Sequence, residues 1–465
     1  MNTAINIQEK IQHLLNGHPL VQKIINTLTT HGYTVLLVGG AVRDMLLGMQ
    51  SKDLDFEVYN ASCQDLESVL RQFGPVIVVG KSYGVLRVHG LDVDWSLPRT
   101  DGVGRKPQVS VDPHMAYKDA FRRRDLTVNA MGIDMQTGGI IDPYNGQEDL
   151  ANKVLRAPDL HTFVEDPLRF YRVMQFVGRF GMSVDATLNE ICATMSLEGV
   201  SRERIELEFE KLLLKSKRPS LGIRWLRTIN RLYEVVPVLF ECIGVPQRPD
   251  YHPEGDVFEH SMQVVDAAAL VVKLYENNEK KLIMLYAALF HDIGKKDTTK
   301  WEDGRWRSIG HAEHGAALAR PALLRITHKK SIIRAVVKLI HYHMELGSYV
   351  SSGAKSGAYK MLAYKLAPEN TIRTLIDLFL VDRQGRNPKS QEPLIIIDPE
   401  ITKATEQAQE AGVLDTPEAP ILHGEDLFDV VTSEKEIGAL LERAYEIQIR
   451  KGITDKKELK KRILS

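Results

Sequence analysis

The chain has 465 residues and a formal net charge of −1, with 60 Lys and Arg against 61 Asp and Glu. This length points to about two to four domains rather than one core, and the balanced charge means that any nucleic-acid partner must meet a local basic patch. No apolar run reaches the roughly 18 residues of a membrane span, the N-terminus lacks the basic-then-apolar order of a signal peptide, and Cys63, Cys192 and Cys242 are too scattered for a zinc or disulfide framework, so a reducing cytoplasm is the expected compartment.

In chain order, residues 3–31 carry Ile7, Ile11, Leu14 and Leu15 at helical spacing. The stretch TVLLVGGAVRDMLLGMQSKDLDFEVY, residues 34–59, then reads as strand, glycine turn, short helix, loop and strand. Val35–Val38 form the continuous apolar run of a buried strand, and Gly39 and Gly40 let the backbone approach a ligand. Asp53 and Asp55 alternate with Leu54 and Phe56, so the two carboxylates share one strand face. Hard oxygen ligands beside a glycine turn suit Mg²⁺ holding a phosphate; a polar strand end after an ordinary turn gives the same tripeptide. A helix over CQDLESVLRQFG follows, and VIVVGKSYGVLRVHG and LDVDWSL read as strands. Asp92 and Asp94 both offer a third carboxylate, with Asp94 preferred.

Residues 99–118 are rich in Gly, Pro and charge and read as a mobile loop. Arg122, Arg123 and Arg124, followed by Asp125, precede an expected apolar helix start and can grip phosphates, although such a run also serves as a solvated face. GGIIDPYNGQEDLANKVLR gives a strand, a turn and a connector. In EDPLRFYRVMQFVGRFG, Asp166 before Pro167 reads as helix cap plus first helical position. Arg169 lies on the same side of the first turn, so the pair offers acceptors and donors suited to a base edge, or a cap with a local Glu165–Arg169 ion pair. Arg172 and Arg179 keep that helix basic. Helices are expected through about residue 245.

VPQRPDYHPEGD, around residues 246–256, marks a boundary, after which imidazoles and carboxylates recur on apolar helices. His260, the adjacent His291 and Asp292, and Asp382 are costly there unless paired or bound to a divalent metal. His311, His314, His341 and His343 are further candidates, and Gly294 is read as a cap. EPLIIIDPE reads as a Pro-bounded strand-like run. The final helix and basic tail (Lys456, Lys457, Lys460, Lys461, Arg462) suit either an RNA backbone or the helix dipole.

These motifs, in this order, resemble the class II tRNA nucleotidyltransferases, or CCA-adding enzymes, of the poly(A) polymerase superfamily, in the bacterial subgroup with an HD domain. LLVGGAVRDMLLG with KDLDFEVY, RRRDLTVNA with IIDPYNG, EDPLRFYRVMQFVGRFG, SRERIELEFEKLL and HDIGK carry the resemblance over nearly the whole chain. It implies an α+β protein: N-terminal helices (1–32), a small mixed-sheet nucleotidyltransferase head (33–157), a helical neck with base-selecting and RNA-binding parts (158–245), an HD domain (246–390) and a helical tail (391–465). It implies addition of CCA to the tRNA 3′ end from CTP and ATP without a nucleic-acid template. Asp53 and Asp55 would hold Mg²⁺, and Asp94 would help activate the terminal hydroxyl. Gly39, Gly40 and Arg43 would contact the triphosphate, Arg123, Arg124 and Asp125 the phosphates and ribose, and Asp166 and Arg169, on a helix kept basic by Arg172, the base edges. His260, His291, Asp292 and Asp382 would hold a second divalent metal for phosphatase or 2′,3′-cyclic phosphodiesterase chemistry, with His311 and His343 as further ligands or phosphate contacts. Alternatives are a bacterial poly(A) polymerase, an enzyme adding only CC or only A, and an HD phosphohydrolase whose front half merely binds RNA.

Overall fold

The computed structural model describes residues 7–51, 53–79, 84–100, 110–428, 430–431 and 433–464; these fall into two compact units, Met1–Ser201 and Arg202–Ser465. In the first unit, helices α1 (Ile7–Asn16) and α2 (Pro19–Thr30) lead into β1 (Thr34–Val38). The break between the helices falls at Gly17 and His18, and Pro19 opens α2 where its missing N–H costs nothing. Residues 3–6 lie outside the described residues. After β1 come α3 (Gly40–Leu46), β2 (Leu54–Tyr59), α4 (Cys63–Arg71), β3 (Val76–Val79), β4 (Val85–Val88) and β5 (Val93–Ser96). A capping box between Ser62 and Asp65 starts α4.

A short ribbon of β6 (Arg99–Thr100) and β7 (Ser110–Val111) brackets residues 101–109, which lie outside the described residues, as does part of the expected loop. Next come α5 (Tyr117–Arg122), a single 3-10 turn at Thr127–Asn129, β8 (Gly132–Asp134) and β9 (Ile140–Ile141). The helix expected after Asp125 does not form. The stretch makes only the 3-10 turn before the chain enters β8, which pairs antiparallel with β1. Then α6 (Gly146–Asn152), α7 (Leu160–Phe163) and α8 (Leu168–Phe180) complete the part that concerns the site.

The mixed sheet has seven strands in the order β3–β4–β5–β2–β1–β8–β9. Its interior strand β1 is covered on both faces, which is why its sequence is apolar at consecutive positions. The β2–β5 pair is parallel and sets Asp55 directly beside Asp94, while antiparallel pairing sets Val38 beside Asp55. Phe56 and Trp95 stack on the other face at 4.7 Å. The carboxylates thus stand on the open face of a sheet anchored by aromatic packing.

The second unit is helical. Helices Val257–Val271, Asn278–Phe290, His311–Leu324, Lys330–Tyr342 and Ile372–Gln384 pack into its core. Asp256, Asn277 and Thr371 cap three of them. Buried Asp266 accepts from the Ser220 amide and hydroxyl and from Arg218, joining the helix Ser220–Thr228 to this core. The strand-like run EPLIIIDPE is not a strand: Ile395 and Ile397 are 91 % and 95 % exposed in an irregular segment. Among the described residues it pairs with no strand, so its β-propensity is not realised. In the tail, the helix Lys456–Leu464 uses Lys456 and Lys460 to bind Asp426 and Arg462 to bind Glu458.

Candidate functional site

In the first unit the glycine turn and the carboxylates come together. Gly39 has φ +73°, which other residues adopt at a cost. A Cβ there would also lie 3.0 Å from Arg124 Nη1 and 3.7 Å from Asp55 Oδ2. Gly39 therefore joins the turn to both the carboxylate strand and the arginine run. Asp53 and Asp55 are exposed while Leu54 and Phe56 are buried, as the alternation requires. The Asp55 carboxyl is raised above its ordinary value by desolvation and by Asp94 and Asp53, against the pull of Arg124. Such mutual repulsion is what a cation relieves.

Geometry separates Asp94 on β5 from Asp92 just before it. Asp94 is beside Asp55 in register, and its Oδ1 accepts from Arg87 Nε at 2.8 Å and Nη2 at 2.7 Å. The Asp92 side chain is 82 % exposed and pairs with the same arginine. Arg87, on β4, is set against Asp94 only by the strand order β4–β5.

Beneath the turn lies a buried polar chain. Arg43 donates to Asp44 through Nε and Nη2 and to Asn129 Oδ1 through Nη1, and its guanidinium lies over the Phe176 and Phe180 rings. Asn129 in turn donates to Asp125, which accepts from Arg172 Nε and from the Leu126 amide. The chain connects α3, the 3-10 turn and α8. Arg43 is thus a buried brace of the glycine turn, and Asn129, inside the motif but unremarked in the sequence, is its central link. Burial by itself would raise the Asp125 carboxyl, but Arg172, Asn129 and the Leu126 amide hold it down to about 2, from an ordinary 3.8. With a depressed folded value, Asp125 contributes stability that is fully present above about pH 4 and is lost as pH falls through about 2. The Asp125→Asn variant is expected to be about 2 kcal/mol less stable at pH 7, with the gap narrowing toward pH 3 in urea titrations.

Arg123 donates to Glu57 Oε2 at 3.2 Å, and Arg124 lies 3.7 Å from the same oxygen, with its guanidinium over the Phe121 ring. Glu57 is fully buried and also accepts from the Tyr59 hydroxyl at 2.7 Å. It too was missed, because a glutamate on an alternating strand reads as solvent-facing. At α8 the helix begins at Leu168, one residue later than expected, and Asp166 accepts from the Leu168 amide at 3.1 Å. Arg169 donates to the Thr162 and Arg123 carbonyls. Two backbone acceptors on separate segments thus hold the Arg169 guanidinium beside the arginine run.

In the second unit, His260, His291, Asp292 and Asp382 converge. His260 Nε2 lies 2.9 Å from Asp382 Oδ1 and 3.2 Å from His291 Nε2, which is 3.2 Å from Asp292 Oδ2. The other oxygen, Asp292 Oδ1, lies 3.3 Å from His311 Nε2 and 3.7 Å from His343 Nε2. His311 and His343 are buried, whereas His314 and His341 are exposed and His314 pairs with Asp297. The four-way choice among these histidines is thereby narrowed to two. Gly294 does not cap the helix Asn278–Phe290, whose C-cap is His291, but stands at the N-cap of the short helix Lys295–Thr298. Its φ is −69°, and a Cβ would meet the His311 carbonyl oxygen at 2.1 Å. It is glycine so that the helix beginning at His311 can close on Asp292.

All four imidazoles have the same orientation. Nδ1 of His291, His311 and His343 faces the carbonyls of Ala288, Ser308 and Ile340 at 2.7–2.9 Å. Nδ1 of His260 faces buried Glu254 at 2.7 Å. With Nδ1 engaged by these acceptors, each Nε2 is directed at the centre, the arrangement typical of metal-binding histidines. Two sets, His260–His291–Asp292 and Asp292–His311–His343, have ligand atoms within 4.8 Å of one another and are wholly buried. Burial disfavours a charged His260, yet Asp382 and Glu254 push it up to about 9; the site attracts positive charge. Among the described residues, the head carboxylates form no set this tight. His252 and Glu254 form a third set with His260. Both come from the segment that read as a boundary, where proline and charge masked them.

Residues 35–156 match the Poly A polymerase head domain family and residues 257–383 the HD domain family. The chain is 34 % identical over 375 residues to the multifunctional CCA protein of Mannheimia succiniciproducens, covering 78 % of this chain and 82 % of that protein. It is 36 % identical over 318 residues to the multifunctional CCA protein of Acinetobacter baylyi, covering 65 % and 73 %. Among solved structures, the Thermotoga maritima CCA-adding enzyme complexed with tRNA has a TM-score of 0.56 at 20 % identity, covering 97 % of this chain and 95 % of that one. The Bacillus stearothermophilus CCA-adding enzyme in complex with CTP has a TM-score of 0.59 at 19 % identity, covering 95 % and 96 %. At these identities the structures speak for the fold.

Proposed function

Because this chain belongs to the multifunctional CCA proteins, we infer that its head adds C, C and A to the 3′ end of tRNA from CTP and ATP, and that its second unit hydrolyses phosphate esters. The observation that carries the first activity is the register that sets Asp55 beside Asp94 next to the Gly39 turn. Asp53 and Asp55 would hold Mg²⁺, which when bound neutralises charge on the triphosphate and its developing leaving group. The open turn at Gly39 and Gly40 admits the phosphates, with Arg43 bracing it from below. Arg123 and Arg124 are assigned to phosphate and ribose, and Asp125 fixes Arg172. Asp94, oriented by Arg87, is assigned to the terminal hydroxyl of the tRNA. There it accepts the proton as that oxygen bonds to the α-phosphorus and pyrophosphate departs. Asp166 and Arg169 read the base edge in place of a template strand.

Purified protein with Mg²⁺, CTP and ATP is expected to extend a tRNA lacking its 3′ end by C, C and A and then stop. Unlimited A addition would make it a poly(A) polymerase, and stopping after CC or adding A alone would make it a partial enzyme. Arg169→Ala is expected to reduce CTP/ATP discrimination by about 10–100-fold, the scale of one well-placed bidentate contact, while the triphosphate contribution to KM changes little. Unaltered discrimination in single-turnover incorporation would remove Arg169 from the template role.

In the second unit, His260, His291, Asp292 and Asp382 would hold a divalent metal, with Asp292 passing its other oxygen to a second position at His311 and His343. Such an ion supplies a hydroxide-like water at neutral pH. Hydrolysis adds the water oxygen to phosphorus and breaks one ester bond, whose oxygen leaves with a proton. Lys295, 2.7 Å from Asp292 Oδ2, keeps that carboxylate ionised. Metal-dependent release of phosphate, or opening of a 2′,3′-cyclic phosphate, tests this assignment.

A further inference from the structure

Alternation along β2 puts Asp55, Glu57 and Tyr59 on one face of the strand. Asp55 stands open, whereas Glu57 and Tyr59 are buried. Their cover comes from Phe121, which packs with Leu36, Val38 and Tyr59, and from the arginines that follow it. In register Glu57 stands between Leu36 on β1 and Ser96 on β5. A carboxylate in such a place is costly unless its charge is matched.

Two cations match it. Oε1 accepts from the Tyr59 hydroxyl at 2.7 Å, while Oε2 lies 3.2 Å from Arg123 Nη2 and 3.7 Å from Arg124 Nη2. Both arginine side chains are largely buried, at 17 % and 15 % exposed. They repel one another, and the shared carboxylate oxygen is what holds them side by side. The other end of Arg124 reaches the glycine turn, where Nη1 is 3.0 Å from the place a Gly39 Cβ would take. Arg124 Nε is buried with no hydrogen-bond partner among the described residues. Asp55, the other acid that attracts Arg124, is assigned to Mg²⁺. Two guanidinium groups then answer to Glu57 alone, and the surplus positive charge lies at the turn that admits the phosphates. An anion arriving there completes the balance.

Arg123 serves two tasks through different atoms. Its side chain donates to Glu57, and its backbone carbonyl accepts from Arg169. The phosphate-facing pair and the base-reading arginine are therefore fastened separately.

We propose that Glu57 is a positioning residue for nucleotidyl transfer: it holds Arg123 and Arg124 together at the Gly39 turn, and so sets affinity for the triphosphate that CTP and ATP share without taking part in the choice between them. This rests on the nucleotidyltransferase reading of the head. Glu57 meets neither the nucleotide nor the reacting atoms; it acts through the two arginines.

The test is steady-state incorporation by the full-length protein, with CTP on tRNA lacking CCA and with ATP on tRNA ending in CC. Glu57→Gln keeps the size of the side chain and an acceptor for Tyr59 but removes the charge. It is expected to raise KM for CTP and for ATP by about tenfold each, with kcat within about threefold and the CTP/ATP ratio of kcat/KM within about twofold. Inhibition by tripolyphosphate, a competitor that carries no base, is expected to weaken by about the same tenfold. Tyr59→Phe, which leaves the charge in place, is expected to stay within about threefold of the unaltered protein in each measurement. Where Glu57→Gln is insoluble, Glu57→Asp takes its place: the charge is kept but drawn back by one methylene, and KM and the tripolyphosphate Ki are expected to rise together by about threefold. Unchanged KM and Ki, a fall confined to kcat, or a shift in the CTP/ATP ratio would overturn the proposal. Failure of the unaltered protein to incorporate either nucleotide would instead overturn the nucleotidyltransferase reading of the head, and the proposal with it.

Discussion

Asp55→Ala is expected to lower CCA addition by about 10³-fold or more, the scale of losing several kcal/mol of charge stabilisation on the transferring phosphoryl group. Asp55 lies where the carboxylate strands meet the glycine turn. It faces Asp94 across the β2–β5 register, follows Asp53 on the same strand face, and lies under the Gly39 turn. Its folded state is not stabilised by its own charge, since desolvation, Asp94 and Asp53 all raise its pKa. A carboxyl with a raised folded value contributes most at low pH, and that contribution is lost as pH rises through the carboxylate range. Asp55→Asn is therefore expected to hold or slightly raise stability at pH 7 without Mg²⁺ while losing activity, a trade typical of sites that collect like charges. Urea unfolding with and without Mg²⁺ checks this together with the extension assay. Phosphate-ester hydrolysis by the second unit is expected to persist in the same variant. Its loss would mean that Asp55→Ala acts by unfolding the protein.

Much of this site was legible from residue order alone, for a physical reason. Alternation on a strand is local, so the shared face of Asp53 and Asp55 follows from the sequence. What was not legible depends on which strands become neighbours. Asp92 and Asp94 could not be separated until β5 was seen to run parallel to β2, and Arg87 had no role until β4 was placed on the far side of β5. Glu57 was hidden for the same reason: its burial is set by Tyr59 and by Arg123 and Arg124, which arrive from the segment after α5. The helix expected after Asp125 failed because strand pairing with β1 outweighed local apolar periodicity. In the second unit, ligand types were readable, since buried imidazoles and carboxylates are costly without partners. The choice of His311 over His314 and of His343 over His341 was not, because each pair differs only in the helix face it occupies.

The other large effect falls on Asp292. Like His260, it belongs to two of the three potential metal-binding sets, with Oδ2 toward His260 and His291 and Oδ1 toward His311 and His343. Burial opposes its ionisation, but His291 and Lys295 hold the carboxyl well below its ordinary value, so both oxygens would be available to a divalent metal. Asn offers one neutral acceptor in its place. Asp292→Asn is expected to empty both positions and lower hydrolysis by about 10³-fold, since direct ligands outweigh the 10–100-fold typical of residues that only orient them. It also leaves Lys295, which is 8 % exposed, facing an amide in place of a charge 2.7 Å away. Breaking a buried pair from one side costs about 3–5 kcal/mol, here moderated by the bond from Lys295 to Gln247. Asp292→Asn should thus be measurably less stable to urea, whereas His311→Ala, which removes a ligand from the Oδ1 side only, should lose one bound ion and keep Lys295 paired. Elemental analysis of the purified variants separates these outcomes. Equal metal content in Asp292→Asn and the unaltered protein would disprove the assignment of Asp292 to metal. Retention of CCA addition in both variants is expected, because neither residue belongs to the unit that holds the glycine turn and Asp55.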